Sequence, residues 1–159
     1  MAPALENHPG GQGGRPVNTE ANTARTDLEQ AQARVRRYLA ALEARDVEAA
    51  QRHLAPDVRI TGPGGRTWAS AQELVANSAG RYRRIGKHIT QVDCLRGDES
   101  GVIVVYCSGT LHGEWLDGTS FAGVRFIDRF ECHAHGITRQ DVWNDAAEHR
   151  LRQAAPPSR

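Results

Sequence analysis

A single carboxylate interrupts the apolar face of a predicted β-strand. From Val124 to Cys132 the side chains alternate in steps of two, and one face carries Phe126 and Phe130 with Asp128 between them. Because successive side chains on a strand point to opposite faces, the apolar face must lie on the core side. An unpaired buried carboxylate is costly, so Asp128 must be neutral or tightly hydrogen-bonded. Asp128 is therefore the leading candidate for a functional group.

A second carboxylate, Asp141, lies on the next predicted strand, after a short turn at residues 133–136. If two residues form the turn, Asp141 lies opposite Asp128 with their β-carbons roughly 4.5–5.5 Å apart. We expect this register, in which the two acids titrate as a pair with one raised pKa. If the turn is a three-residue loop, Val142 faces Asp128 instead. Asp141 and Trp143 then point outward.

Composition limits the classes of protein to consider. A length of 159 residues fits one domain with a tail. The net charge of +1 predicts neither a nucleic-acid surface nor a basic membrane patch. No apolar stretch approaches the roughly 20 residues that span a membrane, and a signal peptide is not expected. Cys94, Cys107 and Cys132 lack metal-ligand spacing, which favours reduced buried thiols, a cytoplasmic protein and no metal site.

Helices are predicted first and long strands afterwards, which favours an α+β fold with three N-terminal helices packed on an antiparallel sheet. Residues 1–25 predict a disordered tail, 26–150 one domain, and 151–159 a frayed end. Asp46 is expected to cap the second helix, and Ser70 the third, which ends near Ala79. The expected strands are Val58–Thr61, His88–Arg96, Val102–Trp115, Phe121–Cys132, and a last one ending near Asp145.

This order of elements resembles the nuclear transport factor 2-like superfamily over residues 27–147. The SnoaL-like and ketosteroid isomerase branches are the most similar, with a cone-shaped α+β fold around a deep apolar pocket. The stretch Arg37–Gly65 resembles the start of ketosteroid isomerases without a gap, and Ile127-Asp128-Arg129-Phe130 is similar to their Ile-Asp-His-Phe motif. The resemblance implies that Tyr38 and a protonated Asp128 form an oxyanion hole.

One departure from the isomerase pattern requires a different base. The residue that shuttles the proton in ketosteroid isomerases falls on Gly62, which has no side chain. Resemblance to the endings of SnoaL-like polyketide cyclases and limonene epoxide hydrolases implies Asp141 as the replacement, although the Arg-x-Asp motif of the hydrolases is absent. Resemblance to dehydratases of the superfamily implies His88 as another candidate, paired with Asp46.

The remaining predicted site residues are expected to bind the substrate. They are aromatic side chains that would form pocket wall and one arginine that could pair with either acid: Phe126, Phe130, Trp115, Trp143 and Arg139.

We therefore expect a cofactor-free enzyme that isomerises, dehydrates or cyclises a small apolar carbonyl or enol compound. The alternative is a non-catalytic ligand-binding or assembly module of the same fold, because fold does not determine function. The resemblance further implies a homodimer that forms through the outer face of the sheet.

Overall fold

The computed structural model describes residues 17–99 and 101–154. Helices and strands alternate at first, and a meander of long strands follows. In chain order the elements are α1 (Val17–Glu43), α2 (Val47–Gln51), β1 (Leu54–Thr61), a 3-10 turn (Pro63–Gly65), β2 (Thr67–Trp68), α3 (Ala71–Ala79), β3 (Tyr82–Arg96), β4 (Ile103–Trp115), β5 (Ser120–His133), β6 (Gly136–Asn144) and α4 (Ala146–Ala154).

Side-chain caps begin the second and third helices where the sequence predicts them. Asp46 accepts a hydrogen bond from the backbone N–H of Ala49 at 2.9 Å. Ser70 accepts one from the backbone N–H of Glu73 at 3.2 Å. Each cap satisfies an N–H group that the helix itself leaves unpaired.

The ends of the helical region differ from the predicted domain boundaries. The first helix begins at Val17, ahead of the start predicted near Thr26, and α4 continues past residue 150 to Ala154. Residues 1–16 of the predicted tail and 155–159 of the predicted frayed end lie outside the described residues.

The six strands form one curved, unclosed sheet in the order β2-β1-β6-β5-β4-β3. The α+β class is confirmed, but the sheet is mixed because β1 and β6 run parallel. A parallel pair needs a long connection, and the chain between β1 and β6 contains α3 and the β3–β5 meander. The helices cover one face of the sheet, and the core lies between them, with Val35 and Tyr38 of α1 fully buried.

The register of β5 and β6 overturns the expected pairing of the two acids. The turn has two residues, as expected, because His133 pairs with Gly136. A β-bulge follows, in which Glu131 pairs with Arg139 but Cys132 pairs with Ile137. The bulge absorbs Thr138, so Asp128 lies opposite Val142. Since one residue of slip exchanges the two faces of a strand, Asp141 points away from the core.

Candidate active site

A cavity of about 140 Å³ opens between the helices and the inner face of the sheet. Most of its walls are apolar, and an engineered cavity of about this size in another protein holds one benzene ring. Charged and polar groups also line it, and these are Glu43, Asn77, Ser78, Arg81, Lys87, Gln140 and Asn144. The apolar part of the lining includes Leu39, Leu42, Trp68, Tyr82, Ile85, Leu111 and Val142.

Lys87, on the cavity lining, forms an ion pair with Asp128. The Lys87 ammonium contacts Asp128 Oδ2 and lies 4.3 Å from the centre of the Phe126 ring. The Asp128 side chain is 0% exposed, whereas Lys87 is 21% exposed and lines the cavity. Asp128 is thus buried as predicted, but behind Lys87 instead of on the cavity wall. Its Oδ1 has no hydrogen-bond partner among the described residues.

Burial and Lys87 act in opposite directions on the Asp128 carboxyl. Burial raises the pKa of Asp128, while the adjacent Lys87 ammonium, and to a lesser degree the Gln140 side chain, lower it. Burial dominates, because the carboxyl has lost all contact with water and one of its oxygens is unpaired. The pKa of Tyr38 is also raised, first by burial and then by the nearby charge of Asp128.

Tyr38 does not line the cavity but is hydrogen-bonded to Gln140, which does. Its hydroxyl donates a hydrogen bond to Gln140 Oε1 at 2.8 Å, and its ring meets the Phe130 ring edge-on with centroids 6.1 Å apart. Tyr38 itself is 0% exposed, and Gln140 lines the cavity. Because Oε1 accepts from Tyr38, the Gln140 amide group is held in a fixed orientation. Tyr38 and Asp128 therefore support two of the polar groups on the cavity lining, Gln140 and Lys87.

Three predicted site residues on β6 lie on the outer face of the sheet. Asp141 Oδ2 accepts from Arg139 Nε at 2.8 Å and lies 3.6 Å from Arg129 Nη1. Trp143 is 51% exposed. The bulge in β6 places all of them away from the cavity, so the expectation that Asp141, Arg139 and Trp143 enter it is wrong.

The predicted His88–Asp46 pair does not form in the described part of the chain. His88 is exposed and follows Lys87, whose side chain points inward, so strand alternation turns His88 to the outer face. The Asp46 carboxylate caps α2 instead.

The predicted aromatic wall lies one layer behind the cavity. Phe126 covers Lys87, Phe130 packs on Tyr38, and Trp115 stacks on Tyr82 at 5.1 Å between ring centroids. Trp115 is also fixed by a 2.8 Å hydrogen bond from its indole N–H to Gln153. These rings shape the cavity by supporting its lining.

A tryptophan occupies the place where the resembling isomerases carry their base. A β-carbon added at Gly62 would lie 2.5 Å from the Trp68 ring. No side chain fits at Gly62 unless Trp68 moves. The carboxylate that does border the cavity is Glu43, at the end of α1, whose Oε2 accepts from the backbone N–H of Lys87 at 3.4 Å.

Sequence reasoning missed Lys87, Gln140 and Glu43. One signal for Lys87 was available, because the chain has 20 basic residues of the Lys and Arg types and Lys87 is its single lysine. Gln140 and Glu43 carry no such signal, since glutamine and glutamate are common on protein surfaces.

Residues 35–140 match the family model described as the SnoaL-like domain. No curated protein matches the sequence significantly. Among residues 17–99 and 101–154, no group of three or more His, Cys, Asp or Glu side chains could hold a metal ion, and no helix is long and apolar enough to cross a membrane.

Solved structures share the fold at low sequence identity. An NTF2-like protein of unknown function from Burkholderia pseudomallei is 20% identical, with 78% of this chain and 97% of that chain covered and a TM-score of 0.60. A protein from Xanthomonas campestris called a polyketide cyclase is 17% identical (77% and 96% covered, TM-score 0.60). The hexachlorocyclohexane dehydrochlorinase LinA-type3 from Novosphingobium barchaimii is 13% identical (76% and 90% covered, TM-score 0.62).

Proposed function

The chain belongs to the SnoaL-like domain family, and from this premise we propose that it is a cofactor-free enzyme that moves a proton on a small, mostly apolar carbonyl or enol compound. Isomerisation, dehydration and aldol-type cyclisation all include such a step. Two structural neighbours bear enzyme names, a polyketide cyclase and a dehydrochlorinase, which favours an enzyme over a structural module.

The observation that carries this proposal is the Lys87–Asp128 pair at the end of an apolar cavity. Removal of a proton next to a carbonyl group places negative charge on the carbonyl oxygen. A fixed cation in a site that excludes water stabilises that charge far more than the same cation in bulk water. Lys87 is the catalytic group in this scheme. Asp128 is a positioning residue for this proton-transfer step, because it contacts the Lys87 ammonium from behind the cavity lining.

Gln140 and Glu43 complete the proposed site. The Gln140 amide, oriented by Tyr38, donates a second hydrogen bond to the oxyanion. Glu43 is the carboxylate on the cavity lining and takes the role of the base that moves the proton. Asp141 and His88, the bases expected from the resemblance, face away from the cavity and have no role in this scheme.

A phenol that becomes a phenolate on binding tests the oxyanion site. We expect 4-nitrophenol, a single ring that mimics an enol, to bind the full-length protein and to show the phenolate absorbance band below its normal pKa. Lys87→Met should abolish that band. Arg84→Gln, which removes an exposed cation from the same strand, should leave it unchanged. An unshifted spectrum with the wild-type protein would refute the proposal.

Catalysis needs a separate measurement. One-ring ketones in D₂O should exchange the hydrogens next to the carbonyl faster with wild-type protein than with Lys87→Met or Glu43→Gln, as followed by NMR. The position of Trp68 beside Gly62 favours the other candidate, a binding protein without chemistry. Binding of 4-nitrophenol without any ketone exchange would establish that alternative.

A further inference from the structure

Lysine occurs once in this chain, and it lies in the cavity. The other 19 of the 20 basic residues are arginines. Arginines form the surface ion pairs of the described residues, for example with Glu114 and Asp145. The Lys87 ammonium lies between a fully buried carboxylate and the face of the Phe126 ring, and its side chain is 21% exposed toward the cavity.

An arginine could supply the positive charge at this position, but it could not supply a nucleophile. A guanidinium keeps its proton under all ordinary conditions, whereas a lysine amine that has passed its proton to a neighbouring base attacks carbonyl carbon. Asp128 contacts the amine nitrogen directly and is the group that can accept its proton. The Asp128 Oδ1 atom, which has no partner, leaves a second oxygen free to hold that proton.

We propose that Lys87 forms a covalent imine with a small aldehyde or ketone that carries no more than about one ring in the cavity. This inference rests on the proposed function, because it takes the same cavity and the same carbonyl class of substrate. It adds a covalent intermediate that a purely electrostatic role for Lys87 does not require.

The proposed step balances without any further reactant. Asp128 accepts one proton from the Lys87 ammonium, and the nitrogen lone pair forms a bond to the carbonyl carbon as the C=O π pair moves to oxygen. The oxygen takes a proton from the new ammonium to give a carbinolamine. Asp128 then protonates the hydroxyl group, the C–O bond breaks and water leaves. The product is a protonated C=N bond that faces the Asp128 carboxylate.

Reductive trapping tests the imine directly. The full-length protein is incubated with benzaldehyde and sodium cyanoborohydride at neutral pH, and its peptides are analysed by mass spectrometry. The matched control is Arg84→Lys, which adds an exposed lysine to the same strand while Lys87 remains in place. We expect a benzyl group to form on Lys87 about tenfold faster than on the added lysine or on the α-amine at the N-terminus of the chain. Equal or slower labelling of Lys87 would overturn the inference.

Two further variants separate a reactive amine from a merely accessible one. Asp128→Asn removes the proton acceptor and should slow the labelling of Lys87 without affecting the α-amine. Asp141→Asn removes a carboxylate from the outer face and should change neither rate. If Asp128→Asn labels Lys87 as fast as wild type does, the proposed role of Asp128 is wrong. If 4-nitrophenol still binds as its phenolate but no adduct forms on Lys87, the imine fails while the proposed function stands.

Discussion

The Asp128 carboxylate is completely buried, whereas Lys87, its ion-pair partner, borders the cavity. Asp128 is therefore inaccessible to solvent, whereas Lys87 is accessible to a ligand in the cavity. A buried pair of this kind is weak evidence for stability, because desolvation of the two charges offsets their attraction. Its position at the end of an apolar cavity favours a functional reason for it.

Asp128→Asn should gain stability over wild type as the pH rises. The pKa of Asp128 is raised above its usual value of 3.8 in the folded state, so above pH 4 the folded protein keeps a proton that the unfolded chain releases. Wild type then loses about 1.4 kcal/mol per pH unit relative to Asp128→Asn, up to the folded-state pKa. Denaturant unfolding from pH 4 to 8 measures the difference. Parallel curves would show that burial does not control this carboxyl.

Lys87→Met should destabilise the protein by leaving the buried Asp128 carboxylate without its cation. Among the described residues, the charged and ionisable groups that face Asp128 are Lys87, Tyr38 and Cys107. Burial raises the pKa of both Tyr38 and Cys107, to about 11 for Cys107. Only Lys87 is a cation, so its loss should cost about 3 kcal/mol at neutral pH. The double variant Lys87→Met, Asp128→Asn should recover most of that loss, since no unpaired charge remains. If the stability change of the double variant equals the sum of the two single changes, the ion pair is contradicted.

Tyr38→Phe should weaken both the fold and the binding of ligand. It leaves the buried Gln140 Oε1 without its 2.8 Å donor, which costs about 1–3 kcal/mol. Because the Gln140 amide is then free to rotate, 4-nitrophenol should bind less tightly. Tyr106→Phe, on the partly exposed outer side of β4, is the matched control and should leave ligand binding unchanged. Unchanged binding by both variants would mean that Gln140 does not contact the ligand.

Asp141→Asn should have a small effect on stability and no effect on the cavity. The Asp141 side chain is 8% exposed, but its partner Arg139 is 51% exposed and is reached by water. Asparagine keeps an oxygen that can accept the hydrogen bond from Arg139 Nε, so the loss is roughly 1 kcal/mol or less. Binding of 4-nitrophenol and exchange of ketone hydrogens should match wild type. A loss of either property would show that Asp141 enters the cavity in solution, as it does in the register without a bulge.

Gly62→Ala should displace the Trp68 ring. The added carbon would lie 2.5 Å from that ring, and overpacking of this kind costs about 1–3 kcal/mol. The intrinsic fluorescence should change, and 4-nitrophenol should bind more weakly because Trp68 lines the cavity. In a Trp68→Leu background the same substitution should cost much less. Equal costs in both backgrounds would mean that the ring does not limit the space at Gly62.

Much of the fold follows from local patterns in the sequence. The caps at Asp46 and Ser70 satisfy backbone groups of their own helices, and the alternation along β5 identifies Asp128 as buried, so each prediction needs only neighbouring residues. The candidate site was harder to predict because it depends on pairing between strands. Lys87 reaches Asp128 from two strands away, across β4, and no local pattern places β3 at that register.

The bulge at Thr138 has a consequence for comparing this chain with its relatives. Side chains along a strand point alternately inward and outward, and one extra residue exchanges the two sets. Consider a relative that lacks the bulge and is aligned with this chain through β6 without a gap. Its inward-facing residues then align with residues that face outward here, such as Asp141. Insertion or loss of a single codon at this point could move a carboxylate between the interior of the cone and its outer surface. Position in an alignment is consequently a poor guide to chemistry beyond Thr138.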